Sequence, residues 1–527
     1  MPKIFTQQHV TLWVHFCTTG VQTLLVLLKM DRLAKIGRQL MQPSECIALA
    51  KFLLEQRKKK NNPRVIADAD EAFCFEILNR VSRSFAAVIE GLPPTLRKQV
   101  CVFYLVLRAL DTVEDDMTIE DEKKKTMLRD FANHLRRPAE DVLPIVSGYG
   151  DTDDYRELLR RYDQVIRVFQ GLGSEAQNII EEITVKMQNG MADFVGATRV
   201  TSHADYELYC HYVAGLVGIG LSKLWAVSPE EGAKWSTLPN RDKLSNEMGL
   251  FLQKTNITRD YREDIEVNRL FWPKEIWSKY ASTAEEFMPK ENAGKGVEAL
   301  NHMVTDALKH IPSCIEYLEL LSDPAVFKFC AIPQVMAIAT LNELYDNPKV
   351  LQTEVKIRKG KAVLLMQGAT DMTAVKRIFH AELLALKAKI RPQDRSAQTT
   401  MALVEKALAI THTGALTTSS SLSKLLSTAM DVSLLATFAT GVHRLSVCSQ
   451  TESCNLLDGD GLGLLAASVT AHVIRVVKHN TWLGNILGNA QTVKLADECS
   501  KKRCCSRPIS DAMSKHNLPD LGAAASK

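Results

Sequence analysis

Residues 105–116 read Leu-Val-Leu-Arg-Ala-Leu-Asp-Thr-Val-Glu-Asp-Asp, and this stretch indicates how the chain is built. The residues before it are apolar on nearly every face, which is typical of a buried helix. Asp111, Glu114 and Asp115 then follow at positions i, i+3 and i+4, so their carboxylates share one helical face. The sequence therefore predicts a buried helix that ends in a cluster of acids.

This acidic cluster has two interpretations. Like charges one helical turn apart repel each other, and the carboxyl end of a helix disfavours acids, so a cation is needed nearby. Hard oxygen ligands suit Mg²⁺, which keeps several waters and bridges to substrate phosphates. The alternative is a solvated acidic turn that closes the helix, because exposed charge runs are common.

A second stretch repeats the pattern at residues 249–264. Apolar residues again lead into acids at i and i+4, Asp260 and Asp264, with Asn256 one turn earlier. Two apolar helices that each end in a carboxylate pair can face each other across a cavity and hold a metal cluster. The repetition therefore favours the metal-site interpretation of both stretches.

Basic and hydroxyl side chains accompany the acids. Arg108 and Arg259 lie just before their carboxylates, where guanidinium groups could bind diphosphate oxygens bidentately. Ser82, Arg83 and Ser84 precede another apolar stretch; the serines could cap a helix or bind phosphate oxygens.

Composition narrows the class of protein. The chain has 527 residues, enough for a large core in one or two domains. A net charge of +4 argues against nucleic acid as the main partner. The 12 cysteines lack the paired spacing of a zinc site, so we expect reduced, mostly buried thiols in a cytosol-facing protein.

The first 63 residues form an N-terminal extension with a charged linker at residues 57–63. Residues 9–28 are an apolar run of about membrane-spanning length. This run is either a marginal membrane segment or the product of a wrong start, with Met30 or Met41 as alternatives.

From Asp68 to about residue 390 the periodicity is helical nearly throughout, without an alternating pattern long enough for a sheet, and we predict that residues 64–395 form the catalytic domain. We therefore predict an all-α fold, a single large helical domain with a central cavity, and expect a monomer.

Residues 396–527 form a divergent C-terminal region. It offers two weak candidates for membrane segments, residues 425–442 and 461–477, both of which contain charged residues. The basic cysteine pair at residues 501–505 could be an acylated patch, and a frame error in the gene would also explain the region.

Three further segments have open interpretations. Residues 209–220 predict a helix whose small residues allow either close helix packing or a channel for an isoprenoid chain, and His211 on it is interpreted as a core residue. Residues 329–340 predict an apolar helix kinked by Pro333 beside a pocket. The cations of residues 355–361 are either a solvated loop or a clamp for a phosphorylated cofactor.

From about residue 67 to residue 390 the chain resembles the eukaryotic-type squalene synthases, which belong to the head-to-head prenyl synthases. The resemblance rests on long segments in the same order: Val-Ser-Arg-Ser-Phe (81–85), residues 104–116, Tyr-Cys-His-Tyr-Val-Ala-Gly-Leu-Val-Gly (209–218), residues 249–261, Phe-Trp-Pro (271–273), residues 329–341 and Lys-Ile-Arg-Lys-Gly (356–360). The last two segments are similar to the squalene branch rather than to phytoene synthases.

The resemblance implies an isoprenoid-synthase fold and a prenyl transferase. The enzyme would condense two farnesyl diphosphates to presqualene diphosphate with Mg²⁺, then rearrange and reduce this intermediate to squalene with NADPH. It also implies association with the endoplasmic reticulum membrane, with the catalytic domain facing the cytosol.

The resemblance also assigns roles to individual residues. The metal ligands would be Asp111, Glu114, Asp115, Asp260 and Asp264. Catalytic roles would fall to Tyr209, which would handle a proton, and to Arg108, Arg259 and Phe329. Substrate would be bound by Ser82, Arg83, Ser84, Tyr104, Gln253, Asn256, Arg269 and Gln334. The cofactor would be bound by Arg83, Arg108, Arg259, Lys356 and Arg358.

Two alternatives remain at this point. One is a phytoene synthase-like enzyme or one that stops at presqualene diphosphate, which product analysis with and without NADPH would distinguish. The other is a non-catalytic isoprenoid-binding paralogue, disfavoured because both acid clusters and Tyr209 are intact.

Overall fold

The computed structural model describes residues 65–82, 85–196, 200–232, 234–267 and 269–413, with scattered residues between 44 and 57. These described residues are helical almost throughout and contain no strand, which confirms the predicted all-α fold. The apolar runs predicted as weak membrane segments, at residues 9–28, 425–442 and 461–477, lie outside the described residues, as does the patch at 501–505.

The α-helices of the amino-terminal half, numbered in chain order, are α1 (Ala69–Val81), α2 (Phe85–Glu90), α3 (Pro94–Asp115), α4 (Asp121–Asp130), α5 (Leu143–Val146), α6 (Asp153–Arg160), α7 (Tyr162–Gln170), α8 (Ser174–Phe194), α9 (His203–Cys210), α10 (Leu216–Ala226) and α11 (Lys234–Thr237). Those that follow are α12 (Arg241–Arg259), α13 (Tyr261–Glu266), α14 (Lys274–Trp277), α15 (Ala293–Leu308), α16 (Ile311–Glu319), α17 (Pro324–Leu344), α18 (Lys359–Gly368), α19 (Met372–Lys387) and α20 (Ala397–Thr411). Short 3₁₀ turns lie at Phe131–Arg136, Ala139–Asp141, Ala284–Phe287, Lys290–Asn292 and Pro348–Leu351.

Helix α3 carries the first acidic cluster. Pro94 at its first position is compatible with a helix start, because that amide has no intrahelical acceptor. The helix ends where Asp116 turns away and accepts hydrogen bonds from the amides of Thr118 (2.9 Å) and Gly150 (2.8 Å). Gly150 has φ +114°, which favours glycine, so the fourth acid of the run fixes a loop.

Helix α12 lies at the centre of the described domain and packs against α10, α15, α16 and α17. Glycines allow the backbone of α12 to come closest to its neighbours. A Cβ on Gly218 of α10 would lie 2.3 Å from the carbonyl oxygen of Ser245, and one on Gly249 would lie 2.3 Å from that of Ala214. The close-packing interpretation of the small residues is therefore confirmed.

The predicted single helix at residues 209–220 is wrong in one respect. Helix α9 ends at Cys210, a π-helical turn occupies His211–Gly215, and α10 follows. The Tyr212 ring projects from this turn onto Gly190, where a Cβ would lie 2.1 Å from the ring. Such π turns interrupt α-helices mostly at functional sites, and periodicity in the sequence does not reveal the extra residue.

Helix α20 lies just past residue 395, the end that we predict for the catalytic domain. It packs against α15 and α19, and its Val404 and Ala407 are buried. The Thr400 hydroxyl lies 2.6 Å from that of Thr305 on α15. The domain ranges remain predictions, but the helical packing continues to Thr411.

Within the described residues, α17 is the one helix long and apolar enough to cross a membrane, by length and composition. Of its apolar window, 67% is buried inside the protein. This burial is typical of a core helix, which passes the same test.

Candidate active site

A cavity of about 270 Å³ lies between α3, α10, α12 and α17. Its walls are mostly apolar side chains, with a few polar groups among them. Those predicted as site residues are Tyr104, Arg108, Asp111, Gln253, Asn256, Phe329 and Gln334. A concave apolar space with a few convergent polar groups is the usual form of a ligand site.

We call the acids at the end of α3, Asp111, Glu114 and Asp115, the first acidic rim. The Asp111 carboxylate lies 3.3 Å from the guanidinium of Arg108, which also donates to the Tyr104 hydroxyl at 3.4 Å. Burial raises the pKa of Asp111 to about 7, with a smaller contribution from Asp115 and against the effect of Arg108. Burial and the neighbouring Asp115 likewise raise the pKa of Glu114 to about 8. This rim therefore needs more positive charge than Arg108 supplies.

We call Asp260 and Asp264, which follow α12, the second acidic rim. The helix ends at Arg259, so Asp260 lies at a junction and Asp264 lies on the separate helix α13; the predicted continuous helix through residue 264 is wrong. An amide hydrogen bond from Asp264 to the Asp260 carbonyl (2.9 Å) keeps the two acids one turn apart. Arg259 binds the Asp260 carboxylate bidentately at 2.6 and 2.7 Å.

Arg269 joins the two rims. Its guanidinium lies 2.8 Å from Asp115 and 3.2 Å from Glu114, and its amide donates to the Asp264 carbonyl at 2.8 Å. Burial raises the pKa of Asp264 to about 7, and Asp260 and Asp115 on the opposite rim add to the effect. The two acidic stretches, far apart in sequence, therefore face each other.

Tyr209 lies beside this rim on α9. Its ring is buried and stacks on Phe271 with ring centroids 4.6 Å apart. The Arg269 guanidinium lies over the other ring of this pair, 5.2 Å from the centroid of Phe271. Burial, with Glu114 nearby, raises the pKa of Tyr209 well above its usual value, so the phenol keeps its proton.

Two buried polar atoms at the cavity have no hydrogen-bond partner among the described residues, Nε of Arg108 and Oε1 of Gln334. The amide nitrogen of Gln334 donates to the Met248 carbonyl at 3.3 Å, which directs the oxygen elsewhere. Buried unpaired donors and acceptors are costly, so each is available to a ligand.

Two of the predicted residues at the start of α2, Arg83 and Ser84, lie outside the described residues. Ser82 is buried, and its hydroxyl accepts a hydrogen bond from the Phe85 amide at 3.1 Å. This bond is the capping role that we considered for Ser82.

The predicted cofactor clamp does not line the cavity. Lys356 pairs with Glu354, and Arg358 pairs with Glu45 at 2.7 Å. Glu45 is only 4% exposed, so a buried carboxylate of the N-terminal extension binds this arginine, whose own side chain is 39% exposed. A Cβ on Gly360 would lie 2.5 Å from that of Glu45, which shows how closely the extension approaches α18.

Sequence reasoning missed several residues of the site. Phe271 supports Tyr209, and Met187 and Tyr317 line the cavity from α8 and α16. Phe271 belongs to the Phe-Trp-Pro segment, so the motif contained a signal that we had not used. Met187 and Tyr317 lie in ordinary amphipathic helices, where only the tertiary packing shows which face meets the cavity.

A second acidic group lies outside this cavity. His203, Glu207 and Asp306 are the metal-type group whose ligand atoms come closest within the described residues. The ammonium of Lys254 already binds Asp306 at 2.6 Å and also binds Glu207. Lys309 binds both carboxylates as well, so this cluster is an ion-pair network rather than a metal site.

Comparison with known proteins identifies the family. Residues 78–361 match the sequence model of the family described as squalene/phytoene synthase. A squalene synthase of Botryococcus braunii is 44% identical over 384 residues, 71% of this chain and 81% of that protein. The squalene synthase of Homo sapiens is 44% identical over 366 residues, 69% of this chain and 85% of that protein.

A solved structure agrees with the sequence relatives. The complex of TcSQS with the ligand BPH1237 superposes with a TM-score of 0.62 at 45% identity, and the match covers 65% of this chain and 99% of that chain. The chain therefore belongs to the squalene/phytoene synthase family, among its squalene synthases, and this family consists of prenyl-transferring enzymes.

Proposed function

We propose that the chain condenses two molecules of farnesyl diphosphate to presqualene diphosphate and then reduces this intermediate to squalene with NADPH. The observation that carries the proposal is the pair of acidic rims joined by Arg269, of which Asp111 also lines an apolar cavity. Diphosphate needs cations and an isoprenoid chain needs apolar walls. Both requirements are met within one site.

The carboxylates fit Mg²⁺ by their chemistry. Glu114 and Asp115 bind the Arg269 guanidinium, and the Asp264 carbonyl accepts from the Arg269 amide. Mg²⁺ is bound in proteins by carboxylates together with substrate phosphates. Asp111, Glu114 and Asp115 would hold metal on one side, and Asp260 and Asp264 on the other. Bound metal would neutralise negative charge on the diphosphate as it leaves.

The arginines of the rims would bind the diphosphate directly. Arg108 has a buried Nε without a partner among the described residues, and Arg259 holds Asp260 in the bidentate geometry that also suits phosphate oxygens. These guanidinium groups would orient the leaving group at the cavity mouth, where they stabilise developing charge most strongly.

The cavity walls would protect the allylic cation. Apolar side chains from α3, α10, α12 and α17 exclude water, which would otherwise capture the cation. The same cavity is also lined by four of the predicted site residues, Gln253, Asn256, Phe329 and Gln334. Tyr209 keeps its proton at neutral pH, so its hydroxyl would hold or move a proton beside the rim that carries Glu114.

The cation segment fits the phosphates of NADPH by charge. Arg358 holds the carboxylate of Glu45, and a guanidinium that binds a carboxylate can bind a phosphate in the same fork geometry. Lys356 and Arg358, with Arg83, would hold the cofactor, which supplies hydride for the reductive step.

We extend the proposal to location and assembly. The protein would act as a monomer at the endoplasmic reticulum membrane, with its catalytic domain facing the cytosol. The apolar product supports this location, because a thirty-carbon hydrocarbon partitions into a bilayer.

Product analysis tests the function. Incubated with farnesyl diphosphate and Mg²⁺, the protein should form presqualene diphosphate, and squalene should appear only when NADPH is added. Phytoene-like hydrocarbon, or presqualene diphosphate with NADPH present, would assign the chain to the alternative enzymes. No diphosphate release under any condition would contradict catalysis altogether.

Asp111→Asn tests the metal role. We expect turnover to fall on the order of 100-fold or more, because a neutral amide replaces a charged ligand at the rim. Glu122→Gln is the matched control, since its side chain is 75% exposed on α4 and should leave turnover unchanged. Undiminished turnover by a folded Asp111→Asn protein would contradict the assignment.

A further inference from the structure

A second cavity of about 550 Å³ lies next to the first and is not explained by the site described above. It is bordered by α2, the start of α17, the end of α18 and Phe52 of the N-terminal extension. Like the first cavity, it is lined mostly by apolar side chains.

Two helices form the wall between the cavities, as their periodicity shows. On α2, Phe85 and Ile89 line the first cavity at positions i and i+4, whereas Ala87 and Val88 line the second, with Gly91 just past the helix end. These residues lie on two faces of one short helix.

Helix α17 repeats this division. Cys330 and Gln334 line the first cavity at positions i and i+4, and Ala325 and Ile332 line the second at i and i+7. At both α2 and α17, therefore, a single helix separates the two cavities.

Phe329 is the side chain that the two cavities share. It is 5% exposed, and its ring meets Trp225 edge-on at 5.8 Å between centroids. Rotation about the side-chain bonds of a single aromatic residue would open a passage from the first cavity to the second.

The lining of the second cavity indicates the chemistry of its occupant. Its walls are apolar except for Lys328 and Gln367, both of which are exposed to solvent. A diphosphate or a nucleotide needs several cations or donors, which these walls lack among the described residues. An unbranched or isoprenoid hydrocarbon chain needs only apolar surface.

The outer end of this cavity is apolar as well. Phe52 lines it, and the next residues of the same segment, Leu53 and Leu54, are 57% and 60% exposed. Adjacent exposed leucines are unusual on a soluble surface and would favour contact with lipid or with an apolar ligand leaving the cavity.

We propose that the second cavity is the release path for the hydrocarbon product, which passes Phe329 and leaves beside Leu53 and Leu54. This inference rests on the proposed function, because the occupant is the product of that reaction. The hydrocarbon moves from one apolar space to the next without crossing the charged rim at Arg269.

Filling the second cavity tests the path. Ala325→Phe places a ring in the second cavity one turn before Phe329, and Ala87→Leu adds volume from α2; neither Ala325 nor Ala87 lines the first cavity. Ala325→Ser is the matched control, because it keeps the small volume at the same position. Two filling variants on different helices guard against one that fails to fold.

Single- and multiple-turnover rates with farnesyl diphosphate, Mg²⁺ and NADPH separate release from chemistry. We expect both filling variants to form the first equivalent of squalene at the wild-type rate and then to slow about 10-fold, whereas Ala325→Ser behaves as wild type. Unchanged multiple turnover in both filling variants, or an equal loss in single turnover, would overturn the proposal. Absence of squalene in the first turnover of the wild-type protein would instead contradict the proposed function.

Crystals of the full-length protein soaked with a long-chain bromoalkane provide a direct readout. Bromine should be found between Phe52, Ile332 and Met366 in the wild-type protein and should be lost in Ala325→Phe. A brominated fatty acid of similar length is the comparison, because Lys328 would favour its carboxylate. Preferential binding of the fatty acid, or bromine confined to the first cavity, would overturn the assignment to the hydrocarbon product.

Discussion

At the scale of single residues, the acidic side chains of the site outnumber the cationic side chains that contact them. Arg269 contacts Glu114 and Asp115 and lies next to Asp264, yet burial still raises the pKa of Glu114 to about 8 and that of Asp264 to about 7. Carboxylates held so close together without enough positive charge are costly. A cation bound between the two rims would remove that cost.

Tyr209→Phe tests the phenol alone. The ring stacks on Phe271 and is buried, so the variant should keep its packing and its free energy of unfolding within about 1 kcal/mol. Loss of a proton-transfer group should lower the rate of presqualene diphosphate formation about 100- to 10,000-fold.

Steady-state product assays measure this rate, and Tyr212→Phe on the neighbouring π turn is the control. A Tyr209→Phe protein with the wild-type rate would exclude a role for the hydroxyl.

Asp306→Asn tests the ion-pair network around Lys254. Lys254 is fully buried and binds Asp306 at 2.6 Å, so removal of the carboxylate charge leaves an ammonium poorly compensated. We expect a loss of about 3–5 kcal/mol in the free energy of unfolding, measured in urea. Asp193→Asn, at an exposed pair with Arg129, should change it by about 1 kcal/mol or less.

From the same network we predict that the stability of the protein depends on pH. Hydrogen bonds from His203 and the charges of Lys254 and Lys309 hold the pKa of Asp306 well below its usual range, although burial opposes them. Its stabilising contribution is present above the unfolded-state pKa of about 3.9 and is lost as the pH falls toward the folded value. Asp306→Asn should therefore weaken the dependence of stability on pH in acid, and an unchanged acid profile would contradict this.

At the scale of elements, the cavity exists because helices approach at unequal distances. Glycines bring α10 and α12 into backbone contact, while Val217 and Leu221 on α10 face the cavity. Gly218 itself also lines the cavity, so this helix serves both packing and the cavity wall. A channel for an isoprenoid chain along its small residues stays a prediction.

Gly218→Ala measures this close approach. An added Cβ would lie 2.3 Å from the Ser245 carbonyl oxygen, so the helices must separate, at a cost of about 1–3 kcal/mol in the free energy of unfolding.

Gly294→Ala is the matched control, because it lies in helix α15 with nothing within 4 Å of an added Cβ. That variant should gain about 0.4–1 kcal/mol. Equal effects of the two substitutions in urea denaturation would contradict the close-packing interpretation.

At the scale of the whole molecule, helix α20 limits how far the chain can be shortened. A protein ending at residue 413 keeps α20 and should form squalene at the wild-type rate with farnesyl diphosphate, Mg²⁺ and NADPH. A protein ending at residue 396 loses Val404 and Ala407 from the core and the Thr400–Thr305 hydrogen bond. Its free energy of unfolding should fall by several kcal/mol, since each large apolar side chain contributes about 1.5–3 kcal/mol, so it should unfold at a lower urea concentration.

Comparison of the two shortened proteins in the same urea titration checks this prediction. Equal midpoints would show that α20 contributes little to the fold. Loss of product formation at residue 413 with unchanged stability would mean that residues 414–527 take part in turnover.

The sequence by itself determined the helical class, the acidic end of α3, the acids that follow α12, and the family, because these depend on local periodicity and on long segments with specific residues. The tertiary structure alone decided that Arg269 joins the rims, that Phe271 supports Tyr209, and that Phe329 separates two cavities. These relations connect residues far apart in the chain. Periodicity assigns a side chain to a face of its own helix, but the packing of other helices decides what that face meets.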